Sequence, residues 1–183
     1  MAEDELIYSA RVFRVVRRRY TLADGKPAER ECIVHPGAVA VIPITDDGRV
    51  CLIRNHRVAV ERTLIEIPAG TLEPPEDPLV CAARELEEET GYTAGKIEKL
   101  TTFQMSPGIL NERMHLYLAT SLRPGPTRLQ SGEEIENYLV PWDDALAMIE
   151  RGEIEDGKTI AALLFADRYR CDTVRSNQTV RST

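Results

Sequence analysis

Seven acids and one base lie between Gly70 and Tyr92: Glu73, Glu76, Asp77, Glu85, Glu87, Glu88 and Glu89 against Arg84. They carry most of the chain's formal charge of −7. Glu85, Glu88 and Glu89 stand at i, i+3 and i+4, so a helix projects them from one face, where like charges repel. A divalent hard cation with oxygen ligands removes that repulsion. No histidine and no pair of cysteines accompanies the glutamates, so Mg²⁺ or Mn²⁺ suits them better than zinc. The alternative is a solvated acidic helix end, the usual fate of a charge run.

The helix that must hold these acids is legible locally. Asp77 is placed to cap it, with Pro78 at its first position. Leu79, Ala82, Ala83 and Leu86 give one apolar face by spacing, and the glutamates are expected to project away from it. Gly91 is placed as the left-handed stop.

Around that helix the sequence predicts mostly strands. Residues 6–20 and 28–36 bracket a turn at Ala23-Asp24-Gly25-Lys26-Pro27 and read as an N-terminal hairpin. Ala38 to Thr45 is a nearly continuous apolar run, the mark of a buried strand. Asp46-Asp47-Gly48 turns the chain into a strand at Val50–Arg54, and Thr63–Ile67 is another, broken by Pro68-Ala69-Gly70. Further strands are expected at 96–104, 112–122 and Ile135–Val140. Helices are expected at Asp143–Arg151 and Lys158–Arg170, the latter burying Ile160, Leu163 and Leu164. Trp142 and Tyr138 are expected in the core, and the tail from Asp172 is polar and expected to fray. Strands and helices interspersed without a strict βαβ rhythm imply a mixed sheet between helices.

The segment also resembles the Nudix box, Gly-x5-Glu-x7-Arg-Glu-U-x-Glu-Glu-x-Gly-U, with U a bulky apolar residue. Here Gly70, Glu76, Arg84, Glu85, Leu86, Glu88, Glu89 and Gly91 fill it, and Tyr92 takes the last U position. The resemblance covers roughly residues 35–170 and implies a Nudix-type α/β/α sandwich with a mixed sheet, plus the N-terminal hairpin. It divides the chain into an N-terminal β segment at 1–36, a hydrolase domain at 37–171 and a tail at 172–183. It implies hydrolysis of a nucleoside diphosphate linked to another group, with Mg²⁺ or Mn²⁺. Adjacent phosphate charges repel a nucleophile, so cations must neutralise them and activate a water. By position in the motif, Glu85 and Glu89 would be the main metal ligands, Glu88 a supporting one and the Ala69 carbonyl a further oxygen. Arg84 would pair with acids such as Glu76 and hold the loop on the helix.

Four features outside the box resemble the ADP-ribose pyrophosphatase group. They are Glu66-Ile67-Pro68-Ala69-Gly70, Arg54-Asn55-His56-Arg57, Ser106-Pro107-Gly108 at its distance past Gly91, and Gly152-Glu153-Ile154-Glu155-Asp156-Gly157-Lys158-Thr159. His56 is not typical of that group. The resemblance implies substrate contacts by Arg54, Arg57, Pro107, Gly108 and Glu112. Arg57 would meet a phosphate, which a planar guanidinium suits, and Glu112 would accept from a ribose hydroxyl or position its loop. The general base in relatives often sits on a loop past the box, here Ser131-Gly132-Glu133-Glu134-Ile135. Glu133 would ligate a metal, and Glu133 or Glu134 would accept the water's proton. Adenine stacking is open to Tyr8, Phe13 or Tyr20.

The preferred expectation is cleavage of ADP-ribose to AMP and ribose 5-phosphate. GDP-mannose or another nucleoside diphosphate sugar is the close alternative, and a non-catalytic nucleotide-sensing module is one of a different class. The net charge disfavours nucleic acid, including RNA decapping, and anionic membrane as partners. A chain of 183 residues with 43% hydrophobic content is expected to be one domain, or one domain with a short appendage, able to bury a core. Cys32, Cys51, Cys81 and Cys171 lack metal-ligand spacing and suit a reducing compartment, so a cytoplasmic location is expected. The first residues lack the apolar stretch of a secretory signal. In similar enzymes the N-terminal segment pairs with another subunit, which implies a homodimer; the alternative is a hairpin folded onto its own domain.

Overall fold

The computed structural model describes residues 3–129 and 134–180. Three strands, β1 (Glu3–Ser9), β2 (Arg14–Thr21) and β3 (Pro27–Val34), form an N-terminal antiparallel sheet. The expected hairpin is β2–β3, and β1 adds a third strand by splitting the 6–20 segment. Cross-strand charges match along it: Arg18 donates twice to Asp4 at 2.7 Å, and Arg19 to Glu29 at 2.7 Å. Exposed pairs of this kind add little stability, but opposite charges favour this register over slipped ones.

The core is built on β4 (Ala38–Pro43), buried along its whole length. β5 (Arg49–Arg57), β6 (Arg62–Glu66), β7 (Ala69–Thr71), β8 (Thr93–Gln104), β9 (Arg113–Arg123) and β10 (Ile135–Pro141) complete the strands. One sheet runs β7-β4-β9-β8 and the other β10-β5-β6. Within the first sheet β4 pairs with β9 in parallel and the other pairings are antiparallel, so that sheet is mixed. Successive β4 side chains point to opposite faces. Val39 and Val41 pack under α1 (Pro78–Thr90), while Ala38, Ala40 and Ile42 share a core with Leu52, Ile67, α2 (Trp142–Glu150) and α3 (Gly157–Val180). The result is an α/β/α sandwich.

The Asp77 carboxylate accepts the Leu79 N–H at 2.8 Å, and Gly91 at φ 74° ends the helix by donating to the Glu87 carbonyl at 2.9 Å. The orientation of α1 corrects the sequence reading. Leu79 and Ala83 are exposed, and the buried stripe is Cys81, Ala82, Glu85, Leu86, Glu89 and Thr90. Counting apolar residues misplaced the face, because two of the glutamates belong to the side that meets β4 and β7.

On α3, Leu163 is buried as expected, whereas Ile160 is half-buried and Leu164 is 52% exposed. Adjacent helical residues lie about 100° apart, so neighbouring leucines cannot share one buried line. Trp142 is buried and its indole N–H donates to Asp167 at 2.9 Å; Tyr138 is half-buried against the core. α3 continues to Val180, so residues 172–180 extend a helix where a tail was expected, and 181–183 lie outside the described residues. Among the described residues no helix is long and apolar enough to cross a membrane.

Candidate active site

A cleft of about 660 Å³ opens where β7, the end of β5 and the inner face of α1 meet. Its floor carries Glu85 and Glu89, only 7% and 4% exposed, one helical turn apart. Arg57 and His56 stand on the β5 side, and Arg11 and Val12 from the β1–β2 turn close one end.

Each acid is held by its own device. A Cβ at Gly70 would fall 1.9 Å from Glu85 Cδ, so only a glycine lets that carboxylate lie across β7. Glu89 accepts the Ala69 N–H at 2.9 Å, which sets it beside that residue's backbone. Arg84 braces the cluster: it donates through Nε and Nη2 to the two Glu76 oxygens at 2.9 and 3.0 Å, and through Nη1 to Glu85 at 2.7 Å. Hydrogen bonds from Arg84 hold the Glu76 carboxyl down at about 2. The same pairing anchors the loop before α1 to the helix.

Glu88 differs from its neighbours. Its carboxylate accepts from Arg84 Nη1 at 3.2 Å, and it does not line the cleft. Among the described residues no three histidine, cysteine or acidic side chains are already gathered into a metal cage. The donor set of Glu85, Glu89 and the adjacent Ala69 backbone nonetheless fits a hard divalent cation. All are oxygen donors, and the glycine at 70 leaves the room that a side chain would fill.

Behind Arg57 lies a buried network. Glu66, 1% exposed, accepts Arg57 Nε at 2.8 Å and Nη2 at 2.6 Å, and also accepts Lys158 Nζ. Burial, the largest influence on Glu66, pushes its pKa up, but the two cations outweigh it and the net shift is down. Lys158 donates to Asp156 at 2.9 Å, and Asp156 also accepts the Thr159 N–H at 2.9 Å. The Thr159 hydroxyl in turn accepts the Ile67 N–H at 2.9 Å. The sequence reading singled out both stretches without giving Glu66, Asp156, Lys158 or Thr159 a part. The available signal was the occurrence of charged residues beside apolar positions in both.

The remaining candidates are dispersed. Arg54 stacks over Tyr138 at 4.3 Å and faces Glu136 at 3.7 Å, lining a shallow hollow with His56 and Glu134. Pro107 lines a separate hollow of about 350 Å³ with Arg18 and Cys32. Its loop, which includes Gly108, docks the N-terminal sheet: the Ile109 carbonyl accepts the Ile33 N–H at 2.8 Å, and Asn111 returns a bond to Ile33 at 3.2 Å. Glu112 follows that loop, 3.8 Å from His35 Nδ1. Arg54, Pro107, Gly108 and Glu112 are all outside the lining of the main cleft. Ser131, Gly132 and Glu133 lie outside the described residues. Their flank is placed, since the Arg128 N–H donates to the Glu88 carbonyl at 2.9 Å at the end of the acidic helix. Tyr8 and Phe13 are exposed and Tyr20 half-buried, all away from the cleft lining. Cys51 and Cys81 are buried and free, and burial pushes both thiols up to about 12, which leaves them unreactive.

The family model for the NUDIX domain matches residues 34–163. Among curated relatives, an ADP-ribose pyrophosphatase of Bacillus subtilis (strain 168) is 42% identical over 163 residues, covering 88% of each chain. A GDP-mannose pyrophosphatase of Escherichia coli (strain K12) is 39% identical over 136 residues, 69% of this chain and 71% of that one. A crystal structure of an ADP compounds hydrolase superposes with a TM-score of 0.82 at 23% identity, over 93% of both chains, and so shares the fold.

Proposed function

The chain belongs to the NUDIX hydrolase family, and on that premise we propose that it hydrolyses the diphosphate bond of ADP-ribose, giving AMP and ribose 5-phosphate, with Mg²⁺ as the divalent cation. The observation that carries this reading is the pair of buried carboxylates, Glu85 and Glu89, facing Arg57 across one cleft. Two buried negative charges and a guanidinium suit an anionic substrate only with a cation between them and the phosphates.

In this reading Glu85, Glu89 and the Ala69 carbonyl hold the cation. When bound, it neutralises phosphate charge and makes a water easier to deprotonate. Arg57 meets a phosphate oxygen. Arg84 keeps Glu85 in place while its other edge grips Glu76, and Glu88 contributes through Arg84. Glu133 or Glu134 accepts the proton of the attacking water. The name of the Bacillus relative favours ADP-ribose. The name of the Escherichia relative supports GDP-mannose as the second substrate to test.

The same proposal includes a homodimer and a cytoplasmic location. β1 is an edge strand with Leu6, Ile7 and Tyr8 exposed, an apolar edge of the kind that pairs with another chain.

A panel of ADP-ribose, GDP-mannose and other nucleoside diphosphate sugars, with Mg²⁺ and then with chelator, tests the reading. ADP-ribose is expected to be cleaved fastest, and chelator to stop the reaction. Inertness toward the whole panel with Mg²⁺ and with Mn²⁺ would instead favour a nucleotide-sensing protein. Glu89→Gln, nearly isosteric, is expected to depress turnover at least about a hundredfold with little change in melting temperature. A fully active Glu89→Gln enzyme would contradict the ligand assignment.

A further inference from the structure

Glu66 and Lys158 are 92 residues apart in sequence and joined by a buried ion pair, yet neither lines the cleft. Replacing a buried ionic group by apolar residues is often neutral or stabilising, so stability alone is a weak reason for four charges to be assembled here. The set alternates in sign with distance along the network from the cleft: Arg57, Glu66, Lys158, Asp156. Its one member on the cleft is Arg57, whose side chain is 41% exposed. Glu66 takes the Nε and Nη2 edge of that guanidinium, which leaves Nη1 for the cleft.

Two physical consequences follow from the order of charges. Glu66 alone would cancel Arg57 and leave a neutral pair, a poor attractant for a phosphate. Lys158 compensates Glu66 from behind, so the positive charge of Arg57 is expressed toward the cleft. The clamp also competes for the guanidinium with Glu89, whose charge reaches it. Lys158 is in turn fixed by Asp156 at the start of α3, and Thr159 ties that start to the Ile67 N–H.

We propose that Lys158 and Glu66 are positioning residues that hold Arg57 with its Nη1 edge toward the substrate diphosphate. A change at the start of α3 is then felt as lost affinity in a cleft that Lys158 does not touch. This rests on the reading above that the diphosphate occupies the cleft and meets Arg57.

A double-mutant cycle on the full chain with Arg57→Ala, Lys158→Met and the double variant tests it. The Kd for ADP with Mg²⁺ is measured by calorimetry, and KM and kcat for ADP-ribose in parallel. Both single variants are expected to raise Kd and KM, by about tenfold or more. Lys158→Met should change kcat far less than KM. The double variant should bind no more weakly than Arg57→Ala, because a residue acting through Arg57 has nothing left to act on.

Effects that multiply in the double variant overturn the inference and leave the role of Arg57 intact. An unchanged Kd and KM in Lys158→Met does the same. An unchanged Kd and KM in Arg57→Ala removes the phosphate role of Arg57 itself, and with it the inference. Absence of ADP binding by the unaltered protein removes both together with the proposed substrate class. If Lys158→Met folds poorly, Asp156→Asn carries the test: it keeps an acceptor for the Thr159 N–H but loosens Lys158. It should raise Kd several-fold in the Arg57 background and not at all in Arg57→Ala; an equal rise in both overturns the inference.

Discussion

Gly70 and Glu85 fit together so closely that a single methyl group on residue 70 would overlap the carboxylate of residue 85. The Cβ would sit 1.9 Å from Cδ and 2.0 Å from Oε1. Glu85 cannot swing freely aside, because Arg84 Nη1 holds Oε1 at 2.7 Å and the side chain is 9% exposed. A residue that is conformationally ordinary at position 70 is thus required by the position of another side chain.

Gly70→Ala is therefore expected to displace Glu85 rather than to unfold the protein. Overpacking of this kind costs about 1–3 kcal/mol, a modest fall in melting temperature. Turnover should fall at least about a hundredfold, because a misplaced catalytic carboxylate is far more damaging than a small loss of stability. Calorimetric unfolding with steady-state hydrolysis of ADP-ribose separates the two effects. Full activity in Gly70→Ala would show that Glu85 tolerates displacement and is not a ligand.

Acid stability should report on the Arg84–Glu76 pair. Glu76 is depressed from 4.5 to about 2 in the folded protein by its hydrogen bonds to Arg84. The sign follows from linkage: the unfolded state binds the proton more readily, so the contribution is complete above pH 4.5 and is lost as pH falls through the window down to about 2. Glu76→Gln should lower stability at neutral pH and flatten the dependence on pH within that window. Urea unfolding midpoints at pH 7, 4 and 3 check this. Parallel curves for the two proteins would remove Glu76 from the acid response.

What was legible in the sequence was local. The Asp-Pro start and Gly stop of α1, the apolar run of β4 and the fixed spacing of the acids are all read within a few residues of themselves. The break between β1 and β2 was hidden because Ala10-Arg11-Val12-Phe13 holds none of the usual turn residues. The inward turn of Glu85 and Glu89 was hidden because periodicity counts apolar residues, and two charged groups on a buried stripe look like the opposite face. The pairing of Glu66 with Lys158 joins residues 92 apart, and charge carries no address in sequence. The cleft therefore emerged from the acids outward: resemblance had marked Arg57 as a phosphate contact, but the Glu66–Lys158 pair behind it was found only in the fold.

Two glutamates compete for the role of general base, and their pH–rate profiles should tell them apart. Glu134 is exposed at the start of β10, beside Arg54 and His56. Removing the true base should eliminate the acidic limb of kcat/KM and lower its plateau by about 10²–10⁴-fold. Glu133→Gln and Glu134→Gln are expected to differ in that limb. Unaltered profiles from both would place the base elsewhere.

The N-terminal sheet bears on assembly. β1 offers Leu6, Ile7 and Tyr8 at 59%, 46% and 58% exposure on a strand whose outer edge has no partner among the described residues. Its register shifts between Leu6 and Tyr8, and such a bulge ordinarily blunts an edge, so apolar side chains there point to a specific partner rather than to protection from pairing. Light scattering should give twice the 20.6 kDa chain mass at micromolar concentration. Ile7→Lys with Tyr8→Lys should move the protein to the single-chain mass without unfolding it, because both positions are already solvent-facing. Activity measured across that transition then shows whether the cleft depends on a second copy. A single-chain mass for the unaltered protein would overturn the dimer.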